Sequence, residues 1–212
     1  MNSADPPTPA GAIIDLYSRH ADAFDRLRGR EAHEGEWLDR FLARLPAAPE
    51  VLDLGCGMGE PIGRYLIEAG ARVTGVDASA PLLALARERL PAAEWIEADM
   101  RALGSAGNFG GRTFDGVVAW HSTFHLGVED QRAMFPAFSQ IVRPGGALMF
   151  TSGSEHGESI GTFEGEPLYH ASLDSAEYRR LLVVNGFDVV DHVAHDPTCG
   201  GAGIWLATKG FL

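Results

Sequence analysis

The chain has 212 residues, 45% of them hydrophobic, and 17 Lys plus Arg against 29 Asp plus Glu give it a formal charge of −12. That length suits one α/β domain with a sizeable core and no need of disulfides. The acidic balance repels a nucleic-acid backbone or an anionic membrane surface, which leaves a small-molecule or protein substrate. Cys56 and Cys199 are the only cysteines, no apolar run is long enough to cross a bilayer, no secretory leader is recognisable and no metal-ligand spacing is present. The expectation is a cytoplasmic protein with free thiols and no metal.

Residues 1–9 hold three prolines and read as a disordered lead-in. Ile13, Ile14, Tyr17, Ala21, Phe24 and Leu27 recur at helical spacing, as do Trp37, Leu38, Phe41, Leu42 and Leu45, so two helices precede the first strand. Arg26, Arg28 and Arg30 are the densest basic cluster and read as a solvated helix end. The apolar run Val51–Leu54 then meets Gly55, Gly57 and Gly59, and an amphipathic segment begins at Pro61: strand, tight turn, helix. Glycine in such a turn lets backbone approach a ligand. Glu60 stands where a dinucleotide fingerprint requires its third glycine, and a carboxylate at a helix start repels phosphate.

Ile62, Tyr65, Leu66 and Ala69 mark a helix closed by Gly70, and the short strand Ala71–Val76 ends in Asp77. An acidic residue about twenty positions past such a turn accepts hydrogen bonds from both hydroxyls of a ribose; the alternative is a helix N-cap. A helix with Leu82, Leu83, Leu85 and Ala86 leads to a third strand, Glu94–Ala98, ending in Asp99 and Met100. Residues 104–112 read as a surface loop, and Phe114–Trp120 as a fourth strand that delivers His121 to His125 to the carboxyl edge, where an open α/β sheet puts its chemistry. A helix over Glu129–Val142, an Arg143-Pro144-Gly145-Gly146 turn and a strand over Ala147–Thr151 follow. Gly153–Leu173 reads as a loop longer than a connection needs; a helix over Asp174–Asn185 and strands over Phe187–His195 and Ala202–Thr208 complete the chain.

Asp53-Leu54-Gly55-Cys56-Gly57-Met58-Gly59 closely resembles the first motif of the class I S-adenosylmethionine-dependent methyltransferases, and the resemblance runs in order and spacing from about Ala10 to the end. It implies an α/β, Rossmann-like three-layer sandwich with a seven-stranded, mostly parallel sheet of order 3-2-1-4-5-7-6, the last strand antiparallel. Residues 10–212 would form one domain, with an N-terminal helical lid at about 10–45. The implied donor is S-adenosylmethionine, leaving S-adenosylhomocysteine. Asp53, Gly55, Cys56, Gly57 and Gly59 would cradle it, Asp77 and Ala78 would meet the ribose, and Asp99 and Met100 the adenine. Trp120, His121 and Tyr17 would close the site.

Methyl transfer is an in-line displacement in which charge disappears, so positioning and desolvation supply most of the acceleration. His121 and His125 are the candidate catalytic bases because imidazole titrates near neutral pH; the alternative is that backbone groups simply satisfy them. Tyr17, His125, Glu155, His156, Tyr169 and His170 are the candidate contacts to an acceptor, expected to be a small molecule methylated on oxygen or nitrogen. Two other readings remain: a nicotinamide-dependent Rossmann oxidoreductase, and a non-catalytic S-adenosylmethionine-binding partner protein.

Overall fold

The computed structural model describes residues 9–103 and 111–211. The expected lead-in and most of the expected 104–112 loop therefore lie outside the described residues, although Pro9 opens a 3-10 turn over Pro9–Ala12. In chain order come α1 (Ile13–Arg19), α2 (Ala21–Leu27), α3 (Gly35–Leu42), β1 (Glu50–Leu54), α4 (Ile62–Glu68), β2 (Arg72–Asp77), α5 (Ala80–Arg89) and β3 (Glu94–Glu97). Next are β4 (Phe114–Ala119), α6 (Val128–Ile141), β5 (Val142–Ser152), β6 (Gly157–Phe163), β7 (Glu166–Ser172), α7 (Ser175–Val184), β8 (Phe187–Asp196) and β9 (Ala202–Lys209).

Seven strands form one sheet in the order β3-β2-β1-β4-β5-β9-β8, parallel except at β9, which runs antiparallel to both neighbours. With β6 and β7 set aside as a separate hairpin, this is the expected order. The central strands are apolar on both faces because helices cover both. Leu52, Leu54, Val117 and Phe150 pack with Phe135 and Phe138 of α6 and Tyr178 of α7. On the other face Val51, Val118 and Met149 pack with Trp37 and Phe41 of α3 and Leu66 of α4. Asp53 lies in register with this second group, a carboxylate inside an otherwise apolar layer. No helix among the described residues is long and apolar enough to cross a membrane.

Two expectations are corrected. The helix expected from Ile13 to Leu27 breaks at His20 (φ −109°, ψ 25°), so three helices precede β1. His20 and Arg19 both reach Glu166, each at 2.6 Å, which fixes the bend toward β7. The segment expected as a long loop is largely the β6–β7 hairpin: Phe163 pairs with Glu166 across Glu164 (φ 50°) and Gly165 (φ 81°), and positive φ at both turn residues suits the twist of a two-residue hairpin. β6 is exposed along nearly its whole length and so lacks an apolar alternation.

Trp95 of β3 locks the glycine turn to the sheet. A Cβ on Gly75 would lie 2.2 Å from the indole Cζ3, one on Gly59 2.6 Å from Cη2 and one on Gly63 3.1 Å from the same atom. The indole Nε1 donates to the Leu90 carbonyl at 3.0 Å, satisfying the ring's polar edge in an apolar cluster with Cys56 and Leu83. Gly75→Ala therefore overpacks the site and is expected to cost about 1–3 kcal/mol, and Trp95→Ala, which empties it, about 3–5 kcal/mol. Urea unfolding of both variants measures the two losses.

Candidate functional site

The site begins where three turns meet. Gly55 and Cys56 both donate backbone N–H bonds to the Val76 carbonyl, at 2.7 and 3.1 Å, so the turn after β1 is fastened to the end of β2. Asp77 completes the fastening: one carboxylate oxygen accepts from Gly57 N–H and the other from Ser79 N–H, both at 2.8 Å. It therefore does bridge to the start of α5, while its flank remains on a cleft. From the other side Ser122, after β4, donates its hydroxyl to the Leu54 carbonyl at 2.7 Å. Gly55 has φ 74°, and a Cβ there would stand 2.3 Å from the Ser122 Cβ. Only glycine fits both the left-handed backbone and the contact.

The cleft above these turns encloses about 770 Å³ including its mouth, and Tyr17, Gly55, Gly57, Asp77, Ala78, Asp99 and Met100 all line it. Ile13, Ile14 and Phe24 of the N-terminal helices join Tyr17 on its walls. A smaller chamber of about 370 Å³ shares Phe24, Gly55 and Gly57 with the cleft and adds Asp53, Cys56, Trp120, His121, Arg28 and Glu60. Gly59 lines neither; it lies against Trp95. Cys56 packs against the α5 side, and burial holds its thiol well above the usual range. Trp120 belongs mainly to the core with Trp37 and Phe41, reaching the chamber rather than the cleft of Asp99.

Two buried polar atoms among the described residues have no partner: Asp53 Oδ2 and Ser79 Oγ. Asp53 lines the chamber and Ser79 the cleft. Burial, reinforced by the Asp77 charge and opposed by Arg28, pushes the Asp53 carboxyl up to about 7. Unpaired carboxylates in apolar layers are costly, which marks this one for a cationic ligand. Arg28 is not the solvated helix end expected from sequence. The chain turns extended there (φ −68°, ψ 117°), and its guanidinium pairs with the buried Glu34 at 2.9 Å on the chamber wall. An anionic acceptor and a guanidinium in one chamber fit a ligand with an ammonium and a carboxylate at one end. Glu60, whose carboxylate was expected to repel phosphate, is itself paired: Arg64, Arg89 and Arg30 approach it at 2.5, 3.4 and 3.6 Å. Asp99 accepts from Arg101 Nε at 3.0 and 2.9 Å; burial would raise its carboxyl, but these bonds hold it below the usual value.

The two candidate histidines are placed differently. His121 adopts φ 49°, a conformation costing a non-glycine residue about 1 kcal/mol or more, and its backbone N–H is held by the Thr151 hydroxyl at 2.8 Å. It lines both the chamber and a polar groove of about 1070 Å³ including its mouth, whose walls include Phe124, Glu155, Glu158 and His170. His125 instead lines the cleft, with both ring nitrogens engaged: Nδ1–H donates to the Tyr169 carbonyl at 2.8 Å, and Nε2 accepts from the Tyr17 hydroxyl at 3.0 Å. Burial is the main reason that each imidazole is lowered to about 4, so both are neutral at neutral pH. Tyr169 is buried with Ile13 and Leu16 of α1, and His156 is exposed and lines none of these cavities. Arg28, Ser79 and Ser122 were missed by sequence reasoning; only Ser79, two residues past a strand-end aspartate, carried a local signal.

Residues 51–146 match the model of a methyltransferase domain. The chain is 49% identical over 90 residues to trans-aconitate 2-methyltransferase of Paracidovorax citrulli, covering 41% of this chain and 31% of that protein. It is 33% identical over 142 residues to malonyl-[acyl-carrier protein] O-methyltransferase of Pseudescherichia vulneris, covering 66% and 53%. The match thus spans about a third to a half of the length of these curated relatives. Among solved structures, S-adenosylmethionine-bound CalS10, an amino pentose methyltransferase from Micromonospora echinaspora, superposes with a TM-score of 0.67 at 22% identity, over 90% of this chain and 96% of that one. Sheet order, glycine turn and domain match agree in likening the chain to the class I S-adenosylmethionine-dependent methyltransferases.

Proposed function

We propose that this protein transfers a methyl group from S-adenosylmethionine to an oxygen or nitrogen of a small-molecule acceptor. The observation that carries this reading is the buried, unpartnered Asp53 carboxylate oxygen in a chamber that shares Gly55 and Gly57 with the cleft of Asp77 and Asp99. Asp53 would take the ammonium of the donor, Arg28 its carboxylate, Asp77 the ribose hydroxyls, and Asp99 with Met100 the adenine. When bound, the donor supplies a methyl carbon activated by the adjoining sulfonium. The protein then has to align the acceptor and exclude water. His121, lining both chamber and groove, stands where donor and acceptor spaces adjoin, and its neutral imidazole can accept a hydrogen bond from an acceptor O–H or N–H. His125 acts through Tyr17 as a positioning residue, holding α1 over the cleft. The relatives are named for trans-aconitate and malonyl-acyl-carrier protein, and the CalS10 structure for an amino pentose; this range leaves the acceptor to be read from the groove.

Calorimetry with S-adenosylmethionine, S-adenosylhomocysteine and NAD tests the reading: the first two bind and NAD does not, whereas affinity for NAD alone would overturn it. The donor's ammonium favours ionised Asp53, so below pH 7 its binding is expected to weaken by about tenfold per pH unit, with proton release on binding near neutral pH. Asp53→Asn removes that pH dependence and most of the affinity. The same carboxyl shapes stability without donor. Its folded value of about 7 lies above the ~3.9 of an unfolded aspartate, so the folded state holds more protons between those values. Stability therefore falls as pH rises through that window, and Asp53→Asn flattens the slope in urea titrations. Tyr17→Phe, which strips His125 of one buried hydrogen bond worth ~1 kcal/mol, is expected to weaken donor binding several-fold in the same calorimeter.

A further inference from the structure

We propose that the polar groove beside His121 takes a hydroxyl-rich amine, such as an amino sugar or amino polyol, and rejects polycarboxylates. This rests on the methyltransferase reading above and names the acceptor class for it. Glu155 and Glu158 both line the groove, and among its described lining residues there is no Arg or Lys. A carboxylate acceptor would meet two carboxylates without a compensating cation; an ammonium meets two counter-charges. The histidines do not redress the balance. Burial lowers both His121 and His170, which keeps them neutral at neutral pH.

The rest of the lining suits the same ligand. Glu158 sits on β6 opposite Ala171 of β7, so a paired hairpin carries its carboxylate and not a free loop. Ser154 and Ser159 add hydroxyls to the wall, and the Gly200–Gly201 turn adds backbone without side chains, a surface that pairs with the alternating donors and acceptors of a polyol. Phe124, tilted against His170 at 5.3 Å between ring centroids, offers an aromatic face that attracts a cation or packs on a sugar ring. The acidity of the whole chain favours the approach of a cationic acceptor in the same sense.

The chemistry balances without further reagents. The acceptor ammonium loses one proton to water at the groove mouth. The freed nitrogen lone pair forms the bond to the methyl carbon as the carbon–sulfur bond breaks and its electron pair stays on sulfur, leaving a neutral thioether and a methylated ammonium. His121, accepting a hydrogen bond from a remaining N–H, orients the lone pair.

The test uses the full chain, methyl-labelled S-adenosylmethionine and two matched panels: amino sugars and amino polyols against trans-aconitate and other polycarboxylates. Transfer to amines is expected with kcat/KM at least tenfold above that for any carboxylate. Glu155→Gln/Glu158→Gln is expected to raise the amine KM tenfold or more while leaving the donor Kd unchanged; Glu155→Gln alone, at an exposed position, gives a smaller shift in the same direction. Preference for carboxylates, transfer to neither panel despite donor binding, or an unchanged amine KM in both variants overturns the proposal. Failure to bind the donor in calorimetry overturns instead the methyltransferase reading on which it rests.

Discussion

The site depends on a close approach of two backbones at Gly55. The turn after β1 and the turn after β4 come together there because nothing larger than hydrogen separates the glycine from Ser122. That contact is secured from three directions: Val76 accepts two N–H bonds, Asp77 bridges Gly57 and Ser79, and Ser122 reaches back to Leu54. The result is a rigid floor of main-chain atoms. Its rigidity permits Asp53 to remain buried with one oxygen unpaired, a condition that a compliant core would relieve by collapse or rotation.

Charge around this floor is sorted by partner. Close to the glycine turn lie Asp53 and Asp77, both with carboxyls raised chiefly by burial. The acids around them are paired, Glu60 with Arg64 and Arg89, Asp25 with Arg89 and Arg30, Glu34 with Arg28. Arginine thus neutralises these acids and leaves the unpaired Asp53 oxygen for a cation, with Arg28 on the same chamber wall.

Much of this was legible in the chain because an open sheet places ligand groups at strand ends, and strand ends follow from apolar runs. Gly55, Asp77 and Asp99 each close such a run, and their spacing carries the nucleoside reading. Arg28 was not legible: a basic residue at a helix end looks the same whether it faces solvent or a chamber, and its partner Glu34 is set by a change of chain direction that no periodicity encodes. The β6–β7 hairpin was hidden because exposed β6 carries no apolar alternation. His125 was legible in place but not in role, since its partners Tyr17 and Tyr169 lie 108 and 44 residues away.

The hydrogen bonds of Arg19 and His20 to Glu166, with Ile13 and Leu16 packed on Tyr169, make the roof of one compartment and the wall of the other a single piece. Neither can part from the floor without pulling on its companion.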